Sequence, residues 1–248
     1  MRDRRRAMIW IAALLLIPTV LDTTYARGHA TEFDATSNRI DRFWAQAFAT
    51  RGWTYASPAG VTHHNGDQRI ACGPTLVDSA TGPFYCVATR TIHIDLRFLQ
   101  PATDAYGPTT ILTATAHEWG HHVQILRGIT AATNTRRERE LQADCYAGAF
   151  VAADIRQGRL AKSEADQARR FLRSIGARHP GADRDDSAHG TPEQRVAAFD
   201  RGFNGGVDAC ALPSRTTQNA PASKSAIEAA SPLRARLSLR QRTRFEAR

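Results

Sequence analysis

Apolar residues recur along this chain with two different periods. Over residues 34–50, Ile40, Phe43, Trp44, Ala47 and Phe48 fall on one side of a helical wheel and predict an amphipathic helix. The stretch that follows is polar and broken by Pro58, Gly60 and Gly66, so it reads as loop, with His63 and His64 as solvated loop histidines. Residues 84–88 and 91–95 are rich in β-branched and aromatic types and alternate in polarity around Thr89-Arg90, the pattern of a hairpin. Helical spacing returns behind Pro108, where Leu112, Ala116, Trp119, Val123 and Leu126 form a stripe that Gly128 ends. Thr135 and Glu138 have capping-box spacing and open a helix that runs to about Gly158. Ser163 with Asp166 resembles a cap for the next helix, ending near Gly176. Thr191-Pro192-Glu193-Gln194 opens the last, ending at Gly202. Many helices, one hairpin and no repeat predict an α+β domain that is mainly helical.

Composition narrows the class. With 42% hydrophobic and 23% charged residues the chain is globular in type, which excludes wholesale disorder and a polytopic membrane protein. A net charge of +9 would suggest a nucleic-acid partner if it lay on the folded body. It does not: residues 1–27 carry +3, residues 212–248 carry +6, and basic and acidic residues cancel between them. No nucleic-acid partner is expected.

The two ends read as export and tail. Four Arg in the first six residues, an uncharged run over 7–21 and Ala26 behind Thr24 form a signal peptide over 1–26, with cleavage after Ala30 an alternative. The apolar run is too short for an ordinary span, so a single-pass inner-membrane anchor is the second choice. Either places the body outside the cytoplasm, periplasmic or secreted. Residues 212–248 are rich in Ser, Ala, Thr, Gln and Arg and read as a disordered basic tail. Together the basic ends could touch an anionic membrane surface. Cys72, Cys86, Cys145 and Cys210 make an even count behind an export signal, so two disulfides are expected. Gly73-Pro74 and Gly82-Pro83 between the first two favour Cys72–Cys86, leaving Cys145–Cys210, among the three pairings four cysteines allow.

The chemistry is concentrated in His117-Glu118-Trp119-Gly120-His121. On a helix, residues i and i+4 share a face, so His117 and His121 can present both imidazoles to one Zn²⁺ per chain. Glu118 lies beside the first ligand, placed to take a proton from water. A third His would fall at 127 behind a Gly at 124, but those residues are Arg127 and Gln124. The third ligand is instead expected on the next helix, where Glu140 and Asp144 share a face. One of the two can bind the metal while the other fixes a histidine ring from behind. Glu138 competes for that role but is explained by its capping box. His122 points about 100° away from His121 and reads as a packing or hydrogen-bonding residue. His189, at the end of a Gly- and Asp-rich loop, is a candidate oxyanion donor if that loop folds over the metal, with Tyr146 as its substitute.

These residues resemble the bacterial putative neutral zinc metallopeptidase family. The matching blocks are Ala71-Cys72-Gly73, Gly82-Pro83-Phe84-Tyr85-Cys86, Ile92-His93-Ile94-Asp95, the stretch 116–124 around His117, the stretch 140–148 from Glu140, the block 190–203 with Glu193-Gln194-Arg195, and Asp208-Ala209-Cys210. The ligand pattern is similar to that of thermolysin-type peptidases. The resemblance implies a zincin-like single domain over 30–211, with His117, His121 and Glu140 on zinc, Glu118 as catalytic base and Asp144 orienting His117. It implies a peptide or protein substrate without defining which. Two other functions compete: an exported zinc hydrolase acting on another amide, such as a cell-wall peptide, and a non-catalytic protein that keeps zinc for structure. Residues 91–95 are the strand expected to lie exposed above the cleft and accept substrate as an added strand.

Overall fold

A computed structural model describes residues 17–212 apart from 67 and 187, with side chains from Phe33 onward. In chain order it contains α1 (Ile17–Ala49), β1 (Gly60–His64), β2 (Arg69–Cys72), β3 (Thr75–Asp78), β4 (Phe84–Cys86), β5 (Thr91–Asp95), α2 (Leu96–Tyr106), α3 (Thr109–Leu126), α4 (Arg136–Arg156), α5 (Glu164–Ser174) and α6 (Pro192–Gly205). The fold is α+β and mainly helical. Most of the signal segment and the tail beyond Leu212 lie outside the described residues. Among the described residues, no helix is long and apolar enough to cross a membrane.

The core forms where the apolar stripes meet. Ile40, Trp44 and Phe48 of α1, Trp119 and Val123 of α3, and Tyr146 and Phe150 of α4 are all buried in one cluster. Edge-to-face contacts tie α1 to α4, Phe43 to Phe150 at 5.6 Å and Trp44 to Tyr146 at 5.0 Å. Each large side chain fully buried there stabilises the fold by about 1.5–3 kcal/mol. Tyr146 is thus a core residue and not a substitute donor for the cleft. α6 then crosses α4 with backbones in contact. A Cβ at Gly202 would overlap the Cys145 carbonyl oxygen, so only glycine permits the approach. The Cys145–Cys210 disulfide fastens the same junction, and Cys72–Cys86 joins β2 to β4.

Several elements differ from the sequence expectations. Residues 60–64 are a strand: β1 pairs in parallel with β5, Val61 opposite Ile92 and His63 opposite Ile94. His63 and His64 therefore belong to a sheet, and His64 Nε2 lies 3.0 Å from His93 Nδ1. Because β4 pairs antiparallel with the other side of β5, the order is β1-β5-β4. β5 is central and cannot accept a further strand; β1 and β4 are the outer ones, and of the two it is β4 that lines the cleft. β2 and β3 form a second hairpin around Gly73-Pro74. α2, with Pro101 inside it, starts on Asp95, whose carboxylate accepts from the Phe98 amide at 2.7 Å. Ser163 makes no side-chain cap; Glu164 accepts from the Ala161 amide at 2.7 Å instead. Both capping boxes form as expected, Thr135 with Glu138 and Thr191 with Gln194.

Candidate metal centre

α3 and α4 lie close enough for their polar residues to meet. A Cβ on Gly120 would come within 2.9 Å of Ala143 Cα, so the seam between the helices depends on glycine at 120. On one side of it stand His117 and His121, on the other Glu140 and Asp144. His117 Nε2 is 3.2 Å and His121 Nε2 3.7 Å from the same oxygen, Glu140 Oε2. The three ligand atoms lie within 4.8 Å of one another, an arrangement that could hold a metal ion. Ligands about 2.0–2.1 Å from a tetrahedral ion sit about 3.3 Å apart, so the spacing fits zinc. The two-imidazole, one-carboxylate donor set also suits that ion and leaves a position open.

The other nitrogen of each ring is held. His117 Nδ1 donates to Asp144 Oδ1 at 2.8 Å, and His121 Nδ1 donates to Gln124 Oε1 at 3.0 Å. Both Nε2 atoms are thereby turned toward Glu140. Behind Asp144, buried Arg195 of α6 grips the carboxylate with Nε at 2.9 Å and Nη2 at 2.8 Å. Gln124 is itself fixed by donating to the Arg139 carbonyl at 2.6 Å. The sequence reading gave neither Gln124 nor Arg195 a role at the site. Gln124 falls in the matching stretch 116–124 but nothing there marks it as a ring partner, and Arg195 lies 51 residues from its partner.

Burial and charge oppose each other here. Burial disfavours a charged His117, but the carboxylates of Asp144 and Glu140 overcome it and lift the ring to about 10. Glu140 is also buried, yet hydrogen bonds from His117 and His121 hold it well below the usual carboxylate range. Burial likewise works against ionised Asp144, and Arg195 outweighs it and lowers its pKa. Glu118 behaves differently: burial pushes its pKa up, with the two histidines pulling against that. It lines the same cleft as the three ligand candidates.

His189 also lines this cleft, half-exposed on its side, 3.7 Å from Glu140 Oε1. Arg136 donates to its Nε2 at 2.8 Å, so the neutral ring carries its proton on Nδ1. Burial lowers its pKa. The loop before it is anchored to the start of α4. Arg137 pairs with Asp186 at 2.7 Å and donates to the Asp183 carbonyl at 2.8 Å. His122 points away as expected, donating from Nε2 to the Ala56 carbonyl at 2.7 Å and sitting 3.0 Å from the Tyr85 hydroxyl.

Comparison with known proteins agrees with this geometry. A family model described as putative neutral zinc metallopeptidase matches residues 26–211. "Uncharacterized protein YpfJ" of Escherichia coli K12 is 36% identical over 185 residues, 66% of this chain and 63% of its own length. "Uncharacterized protein Rv2575" of Mycobacterium tuberculosis H37Rv is 34% identical over 137 residues, 50% of this chain and 44% of its own. The chain therefore aligns with less than two thirds of these relatives. No solved structure matches it.

Proposed function

The chain belongs to the putative neutral zinc metallopeptidase family, and we propose that it hydrolyses peptide bonds with one zinc ion held by His117, His121 and Glu140. The observation that carries this reading is the convergence of three ligand atoms from two helices in a cleft that Glu118 also lines. When bound, zinc supplies Lewis acidity that polarises a carbonyl and acidifies a water molecule. Glu118, with its pKa raised by burial, takes the proton of the attacking water and hands it to the leaving amine. Such positioned proton transfer contributes about 10²–10⁴ in rate. Asp144, braced by Arg195, and Gln124 keep the two imidazoles aimed. His189 donates from Nδ1 to the oxygen that gains charge as the carbonyl becomes tetrahedral. An extended substrate adds along β4, the outer strand beside the cleft. Export to the periplasm or medium is part of the proposal, supported by the first 26 residues and by cysteine usage.

The test is cleavage of a reduced, unfolded protein by the purified chain. Activity should be abolished by a chelator and restored by zinc. Glu118→Gln should keep near-stoichiometric zinc without activity, whereas Glu140→Ala should lose most of the metal. An active Glu118→Gln enzyme, or full zinc in Glu140→Ala, would overturn the assignment.

A further inference from the structure

Four large hydrophobic side chains are exposed among the described residues: Leu76, Val87, Phe98 and Ile175. Scattered singly they would need no explanation. Three of them, however, line one groove. Phe98 of α2 and Ile175, just past α5, stand 47% and 39% exposed on the rim of the cleft that contains the metal centre. Its floor is made by Leu99 and Leu172, which are fully buried. This lobe has a volume of about 420 Å³, within the range of ligand clefts. A second lobe of about 370 Å³, lined by Val87, Ile125 and Ile129, continues on the other side. The two lobes share Tyr85, His121, Arg136 and Glu140, so the metal centre sits where they join.

Charge is distributed just as unevenly. In the first lobe every charged lining residue belongs to the centre or lies beside it, as Arg136, His189 and Arg195 do. Among the described residues that line it, its far end has no cation to hold a terminal carboxylate and no carboxylate to hold a terminal amine. Arg136, between the lobes, is already engaged with His189 and lies 3.7 Å from Glu140.

We propose that this groove takes the interior of an extended polypeptide and seats one bulky apolar side chain, aromatic or large aliphatic, on Leu99 and Leu172 beside the bond to be cut. The inference rests on the peptidase reading above and names its substrate class: internal bonds next to large apolar residues, in chains unfolded enough to expose them. Phe98 and Ile175 close over the seated side chain and exclude water. The chain leaves through the lobe of Val87, where the lining cation Arg139 is engaged with the Asn134 carbonyl, so neither terminus is recognised.

The test uses acetylated and amidated peptides that differ at one central position: Phe, Leu, Gly or Asp. The zinc-loaded protein should cut the Phe and Leu peptides next to that residue, as located by mass spectrometry. kcat/KM should fall by about 10–100-fold for Gly and Asp, the usual discrimination of an apolar pocket. Ile175→Asp, a rim change, should remove most of the preference without moving the melting temperature; Phe98→Ser does the same from the opposite wall if the first variant misfolds. Fluorescence anisotropy of the labelled Phe peptide on Glu118→Gln protein gives a second reading, with binding about tenfold weaker when Ile175→Asp is added. Equal rates for Phe and Asp, or cleavage only of peptides with a free terminus, would overturn the groove assignment. Phe-selective binding with no cleavage by the wild type would keep the groove and overturn the peptidase. Neither binding nor cleavage would overturn both.

Discussion

Replacing Gly120 by Ala tests whether the seam between α3 and α4 sets the metal centre. The added Cβ would lie 2.9 Å from Ala143 Cα, 3.0 Å from its Cβ and 3.3 Å from its carbonyl oxygen. Carbon atoms in contact prefer about 3.5–4.0 Å, so the helices must part by about 0.6 Å or more. Backbone atoms cannot swing aside as the end of a long side chain can. Overpacking of this kind costs about 1–3 kcal/mol, which for a domain of this size lowers the melting temperature by about 2–12 °C. The larger effect falls on the site, because all four aligned groups straddle the seam. A separation of that size exceeds the roughly 0.2 Å that metal–ligand distances tolerate, and it stretches the 2.8 Å bond from His117 to Asp144. Zinc affinity should drop by at least the 10–100-fold typical of losing an orienting partner. Competition against a fluorescent chelator measures the affinity, and calorimetry of the metal-free protein measures the stability. Ala143→Gly in the same background removes one of the two carbon clashes and should restore part of both. Unchanged zinc affinity in Gly120→Ala would refute the claim that helix spacing positions the ligands.

Three further outcomes are expected. Arg195→Leu leaves the Asp144 charge buried without its partner, which should cost about 3–5 kcal/mol and weaken zinc binding; a zinc affinity equal to the wild type would show that His117 does not depend on this brace. His189→Ala should lower kcat by about 10²–10³ with zinc content unchanged, and an unchanged kcat would pass the donor role to Arg136. Reducing Cys145–Cys210, next to Asp144 on α4, should loosen zinc binding as well as lower stability, and a Cys72–Cys145 peptide in a non-reducing digest would contradict the pairing.

What the sequence made legible follows from how far apart the interacting residues are. His117 with His121, and Glu140 with Asp144, are one helical turn apart, so periodicity alone puts each pair on one face. The capping box explained Glu138 and left Glu140 as the ligand candidate, and it is Glu140 whose oxygen lies between the two rings. Long-range partners had no such signal. β1 pairs with a strand about thirty residues later, and its Thr-His-His run looks polar because pairing, not composition, makes it a strand. The same parallel partner is what puts β5 in the middle of the sheet and leaves β1 and β4 as its edges, β4 being the one beside the cleft. α2 was obscured by Pro101, which lacks the amide a helix interior uses. Arg195 falls in a recognisable block, but only the crossing of α6 over α4 joins it to Asp144.

That crossing accounts for a feature which stability alone does not. A buried ion pair such as Arg195–Asp144 gains little net energy, and well-packed apolar residues in its place are often as stable or more so. What apolar residues cannot do is accept the Nδ1 proton of His117. Asp144 must stay ionised in a buried position to do that, and Arg195 lets it, by neutralising a charge that burial would otherwise suppress. The pair is therefore better understood as part of the centre than as part of the core. The same logic extends to the glycine at 202, which brings α6 close enough for an arginine to reach across, and to Cys145–Cys210, which ties the chain just beyond α6 to α4. The alignment of the candidate ligands thus depends on helix spacing as much as on which residues they are.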